Sequence, residues 1–126
     1  LEGRQVSLSQ FKGKAIFLDF WASWCGPCIG DLAFLRKIKE ATADRQVVFL
    51  NLSLDENEAA WREAVSRYAI KGIHLRAAGF GAEVAKVYNM SSLPSYYLVN
   101  SQGKIVERLP GVQQTKEIVA KIEASL

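Results

Sequence analysis

Hydrophobic residues along the chain form two patterns that alternate. Short, nearly continuous apolar runs are typical of strands buried on both faces of a sheet. Two such runs, AIFLDF and QVVFLNLSL, predict strands at Ala15–Phe20 and Gln46–Leu54. Two later strands, Tyr96–Val99 and Lys104–Leu109, flank Asn100-Ser101-Gln102-Gly103, a polar link with a glycine that is typical of a hairpin. The pattern therefore predicts four strands, the last two of them antiparallel.

The second pattern is a helical repeat of apolar residues. Apolar positions three or four apart predict an amphipathic helix, since 3.6 residues make one turn. The clearest case runs from Cys25 to about Thr42, with Pro27 in the first turn, where its missing N–H costs little. Similar spacing predicts a helix that Asp55 opens, a short helix at Glu83–Tyr88 and a last helix at about Gln114–Ala124.

Between these elements the pattern is weaker. Val6–Phe11 alternates weakly before a turn at Gly13, and Lys71–Phe80 is irregular apart from a short extended piece at Ile73–Leu75. The predicted order of elements is β, α, β, α, α, β, β, α. Strands that alternate with helices imply parallel pairing, and the late hairpin adds antiparallel strands. This order predicts an α/β fold with a mixed central sheet flanked by helices on both faces.

Length, composition and charge limit the classes of protein. A chain of 126 residues that is 49% hydrophobic fits a single domain, residues 1–126, with its own core. The net charge is +3, and the 16 basic residues are interleaved with 13 acidic ones, whereas nucleic-acid binders cluster their basic residues. We therefore expect no nucleic-acid partner. Because the sequence begins at Leu1, we expect this domain to come from a longer chain that carries a signal peptide or lipid anchor.

Two cysteines, Cys25 and Cys28, are separated only by Gly26 and Pro27. A disulfide scaffold needs more cysteines at wider spacing, and a structural zinc site needs four ligands. The single histidine, His74, lies far along the chain, and we expect it at a surface or loop position without a role. We therefore predict no metal site, and no cofactor other than a redox-active Cys25–Cys28 disulfide.

The predicted helix suits the cysteine pair to redox chemistry. Disulfide exchange begins with attack by a thiolate, and the N–H groups and dipole at a helix start stabilise that anion. Cys25, at the helix start, is therefore the candidate nucleophile. Cys28 lies one turn later, where it can attack a mixed disulfide at Cys25 and release the partner. We expect Cys25 to be accessible and Cys28 to point inward; an inert buried pair is the alternative.

These residues resemble a known family. The segment 20–28 (FWASWCGPC) resembles the active site of thioredoxin, Ser92-Leu93-Pro94-Ser95 resembles its cis-proline loop, and 100–105 resembles its hairpin. The resemblance covers nearly the whole chain. The segment 55–88 is longer than in thioredoxin and, together with 3–14, resembles the extracytoplasmic TlpA/ResA branch. The resemblance implies a thioredoxin fold with an insert between the second strand and the cis-proline loop.

The resemblance also implies a substrate-binding surface beside the cysteines. Pro94 would be cis and would shape a groove for a substrate strand, and Leu93 would offer backbone hydrogen bonds to that strand. Trp24 would flank Cys25 and supply apolar contact. Gly26 and Pro27 would complete this surface. An ordinary trans proline is the alternative at position 94.

Two acidic residues near the cysteines match the family to different degrees. Asp19 matches thioredoxin's buried acid, which relays the proton of the second cysteine; a raised carboxyl pKa suits such transfer near neutrality. A structural acid satisfied by local hydrogen bonds is the alternative. Asp31 matches a glutamate of the TlpA/ResA branch, but it is shorter, and Leu32-Ala33 replaces that branch's apolar-proline step. Asp31 is a candidate residue for tuning the redox site. The alternative is a solvated acid at a helix start, where the helix dipole favours it.

The function expected from these features is thiol–disulfide exchange with protein thiols and disulfides. Gly26-Pro27, as in thioredoxin, and the insert favour a reductant outside the cytoplasm, periplasmic or membrane-anchored, with an unidentified electron-donor protein in the membrane. A cytoplasmic location is the alternative. Competing hypotheses are oxidase or isomerase work at the same site, peroxide reduction, and a non-catalytic module that binds a strand near Pro94. The context of the cysteines argues against the last two.

Overall fold

Five strands and four helices lie in the part of the chain that this computed structural model describes, residues 8–77, 79, 86 and 92–126. The strands are β1 Ala15–Trp21, β2 Val47–Ser53, β3 Ile73–Arg76, β4 Ser95–Val99 and β5 Ile105–Leu109. The helices are α1 Gly26–Gly30, α2 Leu32–Ala41, α3 Glu58–Arg67 and α4 Thr115–Ala124, and a 3-10 turn spans Leu8–Phe11.

The strands form one mixed sheet in the order β3-β2-β1-β4-β5. β1 pairs in parallel with β2, from Ala15 opposite Val47 to Trp21 opposite Ser53, and β2 pairs in parallel with β3. β4 runs antiparallel to both β1 and β5. The predicted mixed sheet and late hairpin are confirmed, and the extended piece around Ile73 forms the edge strand β3.

β1 is the central strand, and every one of its residues is buried. Alternate residues of a strand point to opposite faces of the sheet. On one face, Phe17 and Trp21 pack against α2, α3 and α4. The side chains that these helices contribute include Leu35, Ile38, Trp61, Ala64, Ile118 and Ile122. The sheet is therefore flanked by helices, as the order of elements predicts.

The opposite face of β1 presents Ile16, Leu18 and Phe20. Within the described residues, Phe11 of the 3-10 turn and Leu93 of the loop before β4 pack against this cluster. The helix predicted at 83–88 lies outside the described residues except for Lys86, and so does most of the insert's second half.

The helix predicted from Cys25 to Thr42 is divided into α1 and α2 at Asp31. Gly30 and Asp31 are both weak helix formers. The Asp31 N–H is shared between the carbonyl oxygens of Pro27 and Cys28, at 3.1 and 3.2 Å, so the hydrogen-bond ladder changes register there.

Asp55 does not open the second helix, contrary to the prediction. α3 begins at Glu58, and Asn57 caps it by accepting a hydrogen bond from the Ala60 N–H at 2.9 Å. Asparagine is among the strongest N-cap residues, so it takes the position that the sequence pattern assigns to Asp55. Asp55 is instead buried beside Ser23.

The expectation for His74 is also wrong. His74 is buried in β3 rather than at the surface, and its Nε2 lies 2.7 Å from the Ile70 carbonyl oxygen. Burial lowers the pKa of His74, which favours the neutral imidazole. In the weakly patterned segment at 6–11, Leu8–Phe11 forms a 3-10 turn, and the residues before Leu8 lie outside the described part.

Candidate active site

A disulfide joins Cys25 and Cys28 at the first turn of α1, with their Cα atoms 5.3 Å apart. Cys25 is the N-cap of α1: its backbone is extended, and its Sγ accepts a hydrogen bond from the Cys28 N–H at 3.2 Å. The Ile29 N–H donates to the Cys25 carbonyl oxygen at 3.2 Å and begins the helix. A backbone donor therefore already points at Cys25 Sγ, where a thiolate would carry its charge.

The two cysteines are covered to nearly the same extent. Cys25 is 5% exposed and Cys28 is 3% exposed, so both are buried in the disulfide form. This difference is too small to mark Cys25 as the accessible member of the pair. They share a cluster with Trp21, Trp61 and other apolar residues, which explains the burial of both.

An exposed surface surrounds the buried cysteines. Trp24 is 63% exposed, which is unusual for the largest apolar side chain, and Gly26 and Pro27 are exposed as well. Pro27 lies in the first turn of α1, where its missing N–H costs the helix no hydrogen bond. The predicted contact residues Trp24, Gly26 and Pro27 therefore lie together on the solvent side of the cysteine pair.

The loop before β4 also contributes to the surroundings of the cysteines. Leu93 is half-buried and packs against the cluster that contains Cys25 and Cys28. The Leu93–Pro94 peptide bond is cis. The Ser95 hydroxyl donates to the Ser92 carbonyl oxygen at 2.8 Å and closes the loop. The fold thus brings Leu93 to the cluster that contains the cysteines from more than sixty residues away along the chain, and Pro94 follows it directly.

Asp19 lies on the helix-covered face of β1, between Phe17 and Trp21. It is 4% exposed, and its Oδ1 has no hydrogen-bond partner within the described residues. Burial raises the pKa of Asp19 from 3.8 to about 7. The alternative of an acid satisfied by local hydrogen bonds does not fit this bare oxygen. At pH 7, such a carboxyl group exists in both protonation states.

Two charged side chains act on Asp19 in opposite directions. The ammonium group of Lys39, on α2, lowers the pKa of Asp19, whereas the carboxylate of Asp31 raises it. Lys39 Nζ donates to the Lys71 carbonyl oxygen at 2.7 Å, which fixes its position. Burial in turn lowers the pKa of Lys39. Lys39 gives no signal in the sequence, because its place on a charged helix face resembles ordinary solvated surface.

Asp31 is half-buried and accepts a hydrogen bond from the Tyr96 hydroxyl at 2.7 Å. Tyr96 stands opposite Asp19 in the β1–β4 register. Burial raises the pKa of Tyr96, so its hydroxyl remains a donor. The Asp31 side chain, between α1 and α2, is therefore bonded to β4 and remains partly exposed.

Asp55 was also missed as a site residue. Its carboxylate accepts hydrogen bonds from Ser23, which is two residues before Cys25. The register of the parallel strands offered a signal: Trp21 lies opposite Ser53, and two residues further on Ser23 reaches the level of Asp55. Polar residues just beyond the carboxyl ends of neighbouring parallel strands are expected to meet.

Neither metal ligands nor a membrane span is found within the described ranges. No three histidine, cysteine, aspartate or glutamate side chains there are grouped so that they could bind a metal ion. In the same residues, every helix is too short or too polar to cross a bilayer.

Comparison with known sequences gives one family and several relatives. A family model described as Redoxin matches residues 1–126. Thiol-disulfide oxidoreductase ResA of Bacillus thuringiensis is 33% identical over 117 residues, which cover 93% of this chain and 66% of that protein. Thioredoxin-like protein YneN of Bacillus subtilis is 31% identical, over 98% of this chain and 72% of that protein. The chain thus spans just under two thirds of the ResA relative.

Solved structures give the same result for the fold. The thioredoxin domain of a thiol-disulfide oxidoreductase from Bacteroides vulgatus superposes with a TM-score of 0.86 at 28% identity, over 96% of this chain and 87% of that one. A thiol-disulfide oxidoreductase from Bacteroides fragilis gives a TM-score of 0.78 at 28% identity, over 92% and 84%. Together with the match over residues 1–126, these similarities show that the chain belongs to the Redoxin family, as a thioredoxin-like member of the TlpA/ResA type.

Proposed function

We propose that this chain catalyses thiol–disulfide exchange with protein substrates and acts as a reductant. The observation that carries the proposal is the Cys25–Cys28 pair at the start of α1, with the Cys28 N–H directed at Cys25 Sγ. An inert disulfide needs no donor aimed at one of its sulfurs and no exposed tryptophan beside it. Relatives whose names state this activity support the proposal.

In the first step, the reduced chain attacks a substrate disulfide. The Cys25 thiolate, stabilised by the Cys28 N–H, bonds to one substrate sulfur and displaces the other as a thiolate. The product is a mixed disulfide between Cys25 and the substrate. Trp24 is exposed next to Cys25, and Leu93 packs against the cluster that contains both cysteines. An extended substrate segment would lie between Trp24 and the loop at Leu93 and Pro94.

In the second step, Cys28 releases the substrate. Its thiol loses a proton and its sulfur bonds to Cys25 Sγ. The bond between Cys25 Sγ and the substrate sulfur breaks, and that substrate sulfur leaves as a thiolate. The substrate disulfide is thereby reduced by two electrons, and the Cys25–Cys28 disulfide forms. Asp19 serves as the base for the Cys28 proton, because its pKa of about 7 allows it to take and return a proton near neutrality.

The direction of exchange and the location belong to the same proposal. Gly26-Pro27 between the cysteines, as in thioredoxin, and the resemblance to the TlpA/ResA branch support a reductant outside the cytoplasm. The oxidised chain would then be reduced by an electron-donor protein in the membrane. Regeneration requires two electrons and two protons from that donor, since the chain holds no other redox pair in its sequence.

The reduction potential tests the direction. The reduction potential of thioredoxin is about −270 mV, and that of the oxidant DsbA is about −120 mV. We expect equilibration with dithiothreitol or glutathione buffers to place the Cys25–Cys28 couple nearer the thioredoxin value. A potential near the DsbA value, or recovery of activity from scrambled ribonuclease, would overturn the reductant assignment and favour oxidase or isomerase work.

Trapping tests the roles of the two cysteines. In Cys28→Ser the second step cannot occur, so Cys25 should remain joined to its substrate as a mixed disulfide, identifiable by mass spectrometry. Cys25→Ser is the matched control and should form far fewer adducts. Equal trapping by both variants would contradict Cys25 as the nucleophile.

A further inference from the structure

The turn that connects β1 to α1 carries the nucleophilic cysteine. The Cys25 N–H donates to the Ala22 carbonyl oxygen at 3.1 Å, which makes 22–25 a four-residue turn with Ser23 and Trp24 at its tip. Trp24 is largely exposed, so its own packing does not hold the tip in place. The position of this tip determines where Cys25 enters α1 and how Trp24 faces a substrate.

Asp55 fastens the tip of this turn through Ser23. The Ser23 N–H donates to both carboxylate oxygens of Asp55, at 3.2 and 3.0 Å, and the Ser23 hydroxyl donates to Oδ1 at 2.6 Å. Both kinds of donor that Ser23 offers are thus bound to one carboxylate. Hydrogen bonds to a charged acceptor are stronger than neutral ones, and a buried one is shielded from competing water.

Asp55 is itself fixed from two neighbouring strands. The Ser53 hydroxyl at the end of β2 donates to Asp55 Oδ2 at 2.5 Å, and the Asp55 N–H donates to Ser53 Oγ at 2.9 Å. The Arg76 guanidinium at the end of β3 donates to the Asp55 carbonyl oxygen at 3.2 Å. The carboxylate that holds the turn is therefore anchored to the rigid part of the sheet.

We propose that Asp55 is a positioning residue for thiol–disulfide exchange. Its buried carboxylate holds Ser23 and thereby sets the turn in which Trp24 and Cys25 meet an incoming protein disulfide. Asp55 touches neither sulfur nor substrate; it acts through Ser23. The inference rests on the proposed function and adds to it a residue from outside the cysteine segment.

The test compares two disulfides of different size. Dipyridyl disulfide needs little more than the Cys25 thiolate, whereas insulin must also dock on the turn. In Asp55→Asn, the amide keeps the shape of the side chain but cannot accept from Ser23 and Ser53 together. We expect the rate constant for insulin to fall about tenfold and that for dipyridyl disulfide to change by less than about threefold. Ser23→Ala removes one bond of the turn and should show the same selectivity with a smaller loss.

Thr42→Val is the matched control. The Thr42 hydroxyl is buried and donates to the Ile38 carbonyl oxygen at 2.8 Å, at the end of α2 that is remote from α1. This variant should lose stability and reduce both insulin and dipyridyl disulfide at the wild-type rates. Amide hydrogen exchange at Ser23, Trp24 and Cys25 should become faster in Asp55→Asn and remain unchanged in Thr42→Val.

The results separate the inference from the function on which it rests. Folded Asp55→Asn and Ser23→Ala proteins that reduce insulin at the wild-type rate would overturn the inference, and so would an equal loss in Thr42→Val. If Asp55→Asn does not fold, Ser23→Ala decides, since it removes a single side-chain bond. A wild-type chain that reduces neither disulfide would refute the proposed function. Amide hydrogen exchange would still test whether Asp55 holds the turn through Ser23.

Discussion

Two buried aspartates, Asp19 and Asp55, lie on neighbouring parallel strands or just beyond them and have opposite surroundings. Asp19 is 4% exposed and Asp55 is 2% exposed, so their burial is nearly equal. The carboxylate of Asp55 accepts three hydrogen bonds from Ser23 and one from Ser53. Within the described residues no donor reaches Asp19 Oδ1, and burial raises the pKa of Asp19. The supply of hydrogen-bond donors, rather than the extent of burial, therefore distinguishes the surroundings of these two acids.

The difference between these acids suits their places in the fold. Asp55 meets a backbone turn that needs acceptors, whereas Asp19 lies among apolar side chains beneath the helices. A poorly solvated carboxyl group is costly for stability, and such a cost is common at functional sites. The comparison therefore predicts that the same Asp→Asn substitution has opposite effects on stability at these two positions.

The largest expected effect is a gain of stability in Asp19→Asn at alkaline pH. The folded chain holds the Asp19 proton up to a pKa of about 7, whereas the unfolded chain releases it near 3.8. Between these values the unfolded state binds fewer protons, so this group lowers stability as pH rises, by about 1.4 kcal/mol per unit. Asp19→Asn should be more stable than wild type at pH 8, by up to roughly 4 kcal/mol. Urea unfolding at pH 4 and pH 8 measures the gain, which should nearly vanish at pH 4.

Asp55→Asn should show the next largest effect, with the opposite sign. The amide leaves donors of Ser23 or Ser53 unpaired in a buried site, so we expect the free energy of unfolding to fall by about 2–3 kcal/mol. Urea unfolding of both aspartate variants in one buffer series compares the two effects directly. A gain of stability in Asp55→Asn would contradict the predicted difference between the two aspartates.

Lys39→Met tests how a nearby positive charge affects the pKa of Asp19. The Lys39 ammonium group lowers the pKa of Asp19, so its removal should raise that pKa above 7. The pH profile of the resolving step should move to higher pH by the same amount. NMR titration of the Asp19 carboxyl carbon gives the pKa, and Lys37→Met, an exposed position on the same helix, is the matched control. A fall in the pKa of Asp19 in Lys39→Met would contradict the stabilisation of the Asp19 carboxylate by Lys39.

Tyr96→Phe should have the smallest effect. Without the Tyr96 hydroxyl, Asp31 loses the bond that holds it in place, and its negative charge can move towards solvent. The pKa of Asp19, which Asp31 raises, should then fall by less than about one unit. The same NMR titration measures this shift. Tyr97→Phe alters the neighbouring ring on the opposite face of the sheet and should leave the pKa of Asp19 unchanged.

The fold was largely predictable because apolar runs and helical repeats follow the chain locally. The alternating strands, the late hairpin and the pairing of Cys25 with Cys28 each depend on residues close in sequence. The break at Asp31 and the start of α3 at Glu58 were missed, because capping residues decide helix ends and several candidates lie close together. His74 was missed because the burial of a short edge strand depends on what packs over it.

The sequence by itself determined the family, the redox pair and one buried acid. Asp19 is an acid within an apolar run, so its burial could be read without a structure. Only the tertiary structure decided what surrounds that acid and which residue holds the active-site turn. Lys39 approaches Asp19 from a helix, and Tyr96 approaches it from a neighbouring strand that is distant in sequence. Asp55 meets Ser23 across 32 residues of chain. Strand register and helix packing set these contacts, and both are settled by the whole core rather than by any local stretch of sequence.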